Sequence, residues 1–256
     1  MVEEKMQKKV KKLMNVVVFL FFLLIFINFS YSTVEVFSKY DTVLTIDAQN
    51  NLLSVNKSLA LKNVYDVGIV PGQIEFKIAK GVDGSLSNLE IVNVSAKDSF
   101  GEEIKLRTRN TDEYSVIVLD IFYPLLPGFE YEFNLNYELS YEPGGIFFKS
   151  LQIPIRESTI PIEEGVFKVV LPENYHFTYL GENSESANLE ENVVFWNIKD
   201  NEPNSIAFEY SWLPVRIDGI KGSYVFWILI NLILLIVLYF EIKREIKNIK
   251  SRNEDG

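Results

Sequence analysis

Strict alternation of apolar and polar residues is the dominant pattern along the chain, and it is clearest in Glu130–Glu142. Tyr131, Phe133, Leu135, Tyr137, Leu139 and Tyr141 fall on one face. Glu130, Glu132, Asn134, Asn136, Glu138, Ser140 and Glu142 fall on the other. A period of two predicts a strand with one face in a core and an acidic face in water. Ile104–Arg109 alternates in the same way. Further strands are predicted at Thr42–Asp47, Leu52–Leu61, Gln73–Ala79, Leu89–Ala96, Tyr114–Phe122, Val166–Leu171, Val193–Ile198 and Ser205–Leu213. In the last of these, Ile206, Phe208, Tyr210 and Trp212 share a face.

Turn residues punctuate the runs, among them Pro71-Gly72, Asp83-Gly84, Pro127-Gly128 and Pro143-Gly144-Gly145. No helical period of any length intervenes between Thr33 and Lys221. Short strands without crossover helices predict antiparallel sheets. The expected fold is therefore an all-β ectodomain of two packed antiparallel β-sandwich units. The first unit is placed at 34–142 and the second at 166–217. The Pro- and Gly-rich segment 143–165 is the junction between them.

Two apolar runs interrupt this pattern. Residues 1–32 carry Lys5, Lys8, Lys9, Lys11 and Lys12, then the apolar run Val16–Ile27, then Ser30-Tyr31-Ser32. A basic start, a short apolar stretch and small residues at −3 and −1 are the parts of a secretory signal. Cleavage is expected after Ser32, with an uncleaved signal anchor as the alternative. The second run, Tyr224–Phe240, has seventeen residues without a charge. With Gly222 and Ser223 it reaches ~28 Å as a helix, close to a hydrocarbon core of ~30 Å. Residues 222–240 are accordingly read as one C-terminal transmembrane helix. Lys243, Arg244, Lys247, Lys250 and Arg252 fill the tail, 241–256. By the positive-inside rule this basic tail is cytoplasmic and the β ectodomain lies outside the cell membrane.

Charge and composition narrow the function classes. Thr33–Lys221 holds 29 acidic against 15 basic residues, which argues against nucleic acid as a partner. There is no cysteine, so disulfide scaffolds and thiolate chemistry are excluded. The one histidine, His176, is read as a surface residue at a strand edge. The carboxylate pairs Glu102-Glu103, Glu163-Glu164 and Glu190-Glu191 are neighbours on strands or loops. Adjacent strand residues point to opposite faces, so they make poor acid–base couples. Glu130, Glu132 and Glu138 form an acidic face suited to solvation and edge protection, with divalent cation binding as the weaker alternative. No common nucleotide, hydrolase or metalloprotease motif occurs. No catalytic residue, metal ligand or cofactor is assigned.

Three polar positions remain. Asn56-Lys57-Ser58 and Asn93-Val94-Ser95 are sequons, making Asn56 and Asn93 candidate glycosylation sites. Asn231 lies mid-span, where an amide either bonds a partner helix or is satisfied within its own helix.

Leu126-Pro127-Gly128-Phe129-Glu130-Tyr131-Glu132-Phe133-Asn134-Leu135-Asn136-Tyr137, followed by Gly144-Gly145-Ile146-Phe147-Phe148-Lys149-Ser150, resembles the end of the N-terminal β domain of gluzincin-type zinc aminopeptidases. The layout of signal, β domains and single helix is also similar to the ribophorin-type subunit of oligosaccharyltransferase. The aminopeptidase zinc motif has no counterpart in the chain. What the resemblance implies is a non-catalytic β module. Together these readings lead to the expectation of a single-pass cell-surface protein, a non-catalytic binding or scaffolding module or a subunit of a membrane complex, with the bilayer and a protein in the membrane or at the cell surface as partners. A sensor subunit that passes ligand binding through its helix is the alternative.

Overall fold

An antiparallel hairpin of β1 (Glu35–Asp47) and β2 (Leu52–Asn63) organises the domain. Its turn is fixed by Asp47, whose Oδ1 accepts from the backbone N–H groups of Gln49 and Asn50, both at 3.0 Å. Asn51 follows at φ 53°, a left-handed conformation that asparagine tolerates. The hairpin opens a β domain described in a computed structural model covering residues 34–80, 89–142, 145–155, 157–181, 187–190, 192–199, 202, 205–217 and 219–254. The signal segment, 1–32, lies outside the described residues.

The remaining elements are β3 (Gly72–Ala79), β4 (Glu90–Asp98), β5 (Leu106–Asn110), β6 (Tyr114–Ile121), β7 (Glu130–Ser140), β8 (Phe148–Pro154), β9 (Glu164–Val170), β10 (His176–Leu180), β11 (Ala187–Glu190), β12 (Val193–Lys199), β13 (Ser205–Ser211) and α1 (Gly222–Glu254). A seven-stranded sheet runs in the order β11-β12-β9-β1-β2-β7-β4. Two three-stranded sheets, β3-β6-β5 and β10-β13-β8, accompany it. One apolar cluster joins all three. Leu44, Leu53, Val55, Phe133 and Leu135 of the large sheet pack in it with Phe76, Ile117 and Leu119 of one small sheet and Leu151, Ile206 and Phe208 of the other. The all-β class with one C-terminal apolar helix is as the sequence predicts.

Several details differ from expectation, for local reasons. The pairing of β1 with β9 is parallel, Thr42 to Phe167 through Thr45 to Val170. A lack of crossover helices rules out short βαβ units, but here the connection between the parallel strands is itself made of strands. This pairing carries the seven-stranded sheet across the segment 143–165, which itself contains β8. The Ile104 strand begins only at Leu106, because Ile104 already donates its N–H to Ala96 across to β4. Trp212 is not part of the core. The strand ends at Ser211, whose Oγ accepts from the Leu213 N–H, and the turn leaves Trp212 53% exposed.

β6 is buried on both faces, which hides its alternation. Its outward Val116 and Val118 are flanked by Glu75 and Lys77 of β3 and by Arg107 and Arg109 of β5. These charged residues pair among themselves and with Asp120, so their stems lie over the valines while their heads stay wet. In β9, Gly165 permits the close approach of β1: a Cβ there would collide with the Tyr40 carbonyl oxygen.

α1 has neither glycine nor proline after Gly222 and runs ~50 Å at 1.5 Å per residue. Its segment Gly222–Ile246 is long and apolar enough to cross a membrane, and beyond its first two turns its side chains are mostly exposed.

Candidate functional site

Two constellations concentrate polar chemistry, one sealed in the core and one where the β domain meets α1. The first begins with Lys57, which occupies an inward position of β2 between Val55 and Leu59. Its Nζ lies 3.3 Å from Glu157 Oε2, and the two side chains are 0% and 3% exposed. Lys57 also donates to the Tyr40 hydroxyl at 3.1 Å and to Thr42 Oγ1 at 3.3 Å. Tyr137 donates to both carboxylate oxygens of Glu157, at 2.9 and 3.0 Å. Burial pushes the Glu157 carboxyl up and the Lys57 ammonium down, each partly opposed by the partner's charge. Desolvation likewise holds the Tyr40 and Tyr137 hydroxyls well above the usual phenol range. Every donor and acceptor named here has a partner inside the protein. Among the described residues the amine and carboxylate are covered almost completely, and the cluster ties β1, β2 and β7 to the segment after β8.

The second constellation fastens the helix to the small sheet β10-β13-β8. Glu209, on β13, is 1% exposed. Its Oε1 accepts from Thr178 Oγ1 at 2.8 Å and from the Ser223 N–H at 3.1 Å. Its Oε2 accepts from Ser223 Oγ at 2.6 Å. A β-bulge between Phe177 and Tyr179 makes Thr178 the extra residue of β10, and its side chain turns to Glu209. The carboxylate thereby caps the first turn of α1, where free N–H groups and the helix dipole favour negative charge. Gly222 is required at this contact. A Cβ on it would stand 2.7 Å from both Thr178 Cβ and the Val215 carbonyl oxygen. One turn on, the Phe226 ring packs at 5.7 Å from Phe147 and 5.5 Å from Phe148.

Removing the cap should be measurable without unfolding the domain. Glu209→Ala would leave the Thr178 and Ser223 donors without partners and strip the anion from the helix start, a cost of about 1–3 kcal/mol. Amide exchange in Ser223–Phe226 should accelerate roughly 10- to 100-fold by mass spectrometry, while β1, β2 and β7 exchange as before. Unchanged exchange at the head of α1 would show that Phe226 alone holds it.

The remaining sequence candidates are dispersed. His176 is exposed at the start of β10. Glu102, Glu103, Glu163 and Glu164 are exposed, whereas the side chains of Glu190 and Glu191 lie outside the described residues. Glu130 and Glu132 face outward on β7 beside an open groove of about 740 Å³, in which Lys62 lies 3.7 Å from Glu130. Asn56 and Asn93 both stand exposed on strands of the seven-stranded sheet, and Asn93 Nδ2 donates to Glu138 Oε2 at 2.6 Å. Asn231 donates to the Trp227 carbonyl at 2.8 Å, so its amide N–H is satisfied one turn back in its own helix. Among the described residues, no group of three or more His, Asp or Glu side chains is placed to hold a metal ion.

Sequence reasoning missed Lys57, Glu157 and Glu209. Lys57 had a signal, being a lysine in the inward register of an alternating strand. Glu209 had a weaker one, since it lies between the large apolar residues Phe208 and Tyr210 on a strand that precedes the apolar helix. Glu157 lies in an irregular segment without periodicity and had none.

No protein-family model matches the chain. The uncharacterized protein MJ1395 of Methanocaldococcus jannaschii is 27% identical over 135 residues, which are 52% of this chain and 93% of that protein. Among solved structures, a candidate nutrient binding protein from Legionella pneumophila superposes with a TM-score of 0.47 at 8% identity, over 70% of this chain and 67% of that one. An M1 zinc metallopeptidase from Deinococcus radiodurans gives 0.39 at 11% identity, over 69% of this chain. The aligned part spans 42% of the peptidase chain, less than half its length. Zinc metallopeptidases of the type named from the sequence are thus among the structures this β domain is similar to.

Proposed function

We propose that the protein is a single-pass cell-surface protein whose acidic β domain is a non-catalytic binding or scaffolding module, held at a fixed attitude on its membrane helix. The observation that carries this reading is the packing of the helix start: α1 begins against β13 and β8, sealed by Gly222, Glu209 and Phe226. A module tethered for reach would need a flexible connection, whereas a module that presents a surface in a defined orientation needs this one. The basic residues Lys243 and Arg244 just beyond the span support a cytoplasmic tail and an outer β domain. The outward face of β2 and β7, with Asn56, Asn134, Asn136 and Glu132, is polar and open to a protein or glycan partner.

The test is purification of the full chain from its own membranes in mild detergent. A partner in constant stoichiometry is expected, released by the double reversal Glu130→Lys/Glu132→Lys on the outward face with circular dichroism unchanged. Elution of the chain alone, or a partner indifferent to that reversal, would sink the proposal. The same clasp favours a second reading, a sensor subunit, because a shift of β13 would be felt directly at Ser223.

A further inference from the structure

Five large apolar side chains stand exposed on the two connections that reach the start of α1. Ile146 (86% exposed) and Phe147 precede β8; Trp212, Ile217 and Ile220 lie between β13 and the helix. The two connections are neighbours, since Ser211 Oγ donates to the Phe147 carbonyl at 2.7 Å. Both reach the helix: Phe147 packs on Phe226, and the Ile217–Ile220 bridge leads directly into Gly222. Their apolar surface continues into Tyr224, Trp227 and Ile228, which nothing in the protein covers.

We propose that this ring is a lipid-binding surface that seats the base of the β domain in the outer headgroup layer of the bilayer. The proposal rests on the reading of α1 as a spanning helix and adds to it a second contact, made by loops of the β domain. Two observations select lipid over a protein as the occupant. Both connections reach the head of α1, one through Phe147 on Phe226 and the other through the Ile217–Ile220 bridge, so if α1 spans, headgroups and the upper acyl carbons are what surround them. Its charge is also opposite to that of the domain around it. Arg216 and Lys221 flank Ile217 and Ile220, with Asp218 between them, so this connection is net positive in a segment from Thr33 to Lys221 where acidic residues outnumber basic ones 29 to 15. Tryptophan, apolar side chains and basic residues together match the composition of a membrane–water interface, where amphipathic rings and phosphates meet.

The three tryptophans allow a direct test in the full chain reconstituted into nanodiscs. Trp196 is buried in the core, Trp212 is on the ring and Trp227 is in the helix. The Trp212 signal is the difference between Trp227→Phe and the double variant Trp212→Phe/Trp227→Phe. Lipids brominated on the upper acyl carbons should quench that signal about twofold or more, and aqueous iodide should leave it nearly untouched. A Trp212 open to iodide and silent to bromolipid would place the ring above the membrane and overturn the proposal. Silence to both would mean a protein covers it, which overturns it equally. The Trp212→Phe variant reports Trp227: if Trp227 is quenched by bromolipid and Trp212 is not, only the ring fails. If Trp227 is not quenched either, the spanning helix fails with it.

Discussion

Lys57→Met should destabilise the β domain by about 3–5 kcal/mol, a large part of the stability of a domain this size. The substitution keeps the stem that packs between Val55 and Leu59 and removes only the ammonium. Glu157 is then left in the core with the Tyr137 hydroxyl and no cation. The double variant Lys57→Met/Glu157→Gln should recover most of the loss, because it removes the stranded charge and keeps an acceptor for Tyr137. The effect should also depend on pH in a definite direction. Burial raises the Glu157 carboxyl above its ordinary value of 4.5 even with Lys57 beside it, and losing the cation raises it further. The folded variant therefore holds a proton that the unfolded chain releases above about pH 4.5. That contribution is complete below the unfolded value and is lost as pH rises through the folded one. The deficit of Lys57→Met relative to the parent should be smallest in acid and grow toward neutrality. Urea unfolding of the full chain in detergent, followed by circular dichroism at several pH values, measures it. A deficit independent of pH would mean that Glu157 is not the group left unpaired.

The contrast between Lys57 and Glu157 shows how much of the molecule could be read from the sequence. Alternation found β7 almost residue for residue, because one of its faces meets the core and the other meets water. It served less well for β6, where charged stems from both neighbours cover the outer valines and the pattern collapses into a continuous apolar run. The apolar helix was legible because a helix able to face lipid must be apolar on every side, a condition stronger than any soluble pattern. The clasp was not, since Thr178, Glu209 and Ser223 are far apart in sequence and are brought together by a bulge that leaves no compositional trace. Trp212 shows the opposite error. Its register placed it in the core, yet the strand stops one residue earlier. Register predicts a face only while the strand lasts.

Tyr137→Asp should be at least as damaging as the loss of Lys57. Tyr137 is buried on the inward face of β7, and its hydroxyl is the donor that satisfies both oxygens of Glu157. Aspartate would replace that donor with a second acceptor, leaving two carboxyl groups beside the single ammonium of Lys57. Like charges this close cannot both ionise, so one must hold a proton or the strand must move. The smaller side chain would also leave a cavity where the ring was, and that cost adds to the electrostatic one. A loss of about 4 kcal/mol or more is expected, enough to populate unfolded chain at ordinary temperature. Tyr137→Phe keeps the ring and loses only the donor, so it should cost about 1–2 kcal/mol. Glu138→Lys, one residue along, gives up a surface contact with Asn93 and should shift stability by about 0.5 kcal/mol or less. Thermal unfolding of the three variants under one condition ranks them. Equal losses at positions 137 and 138 would mean that β7 is covered on both faces. The polar outer surface on which partner binding is proposed would then not exist.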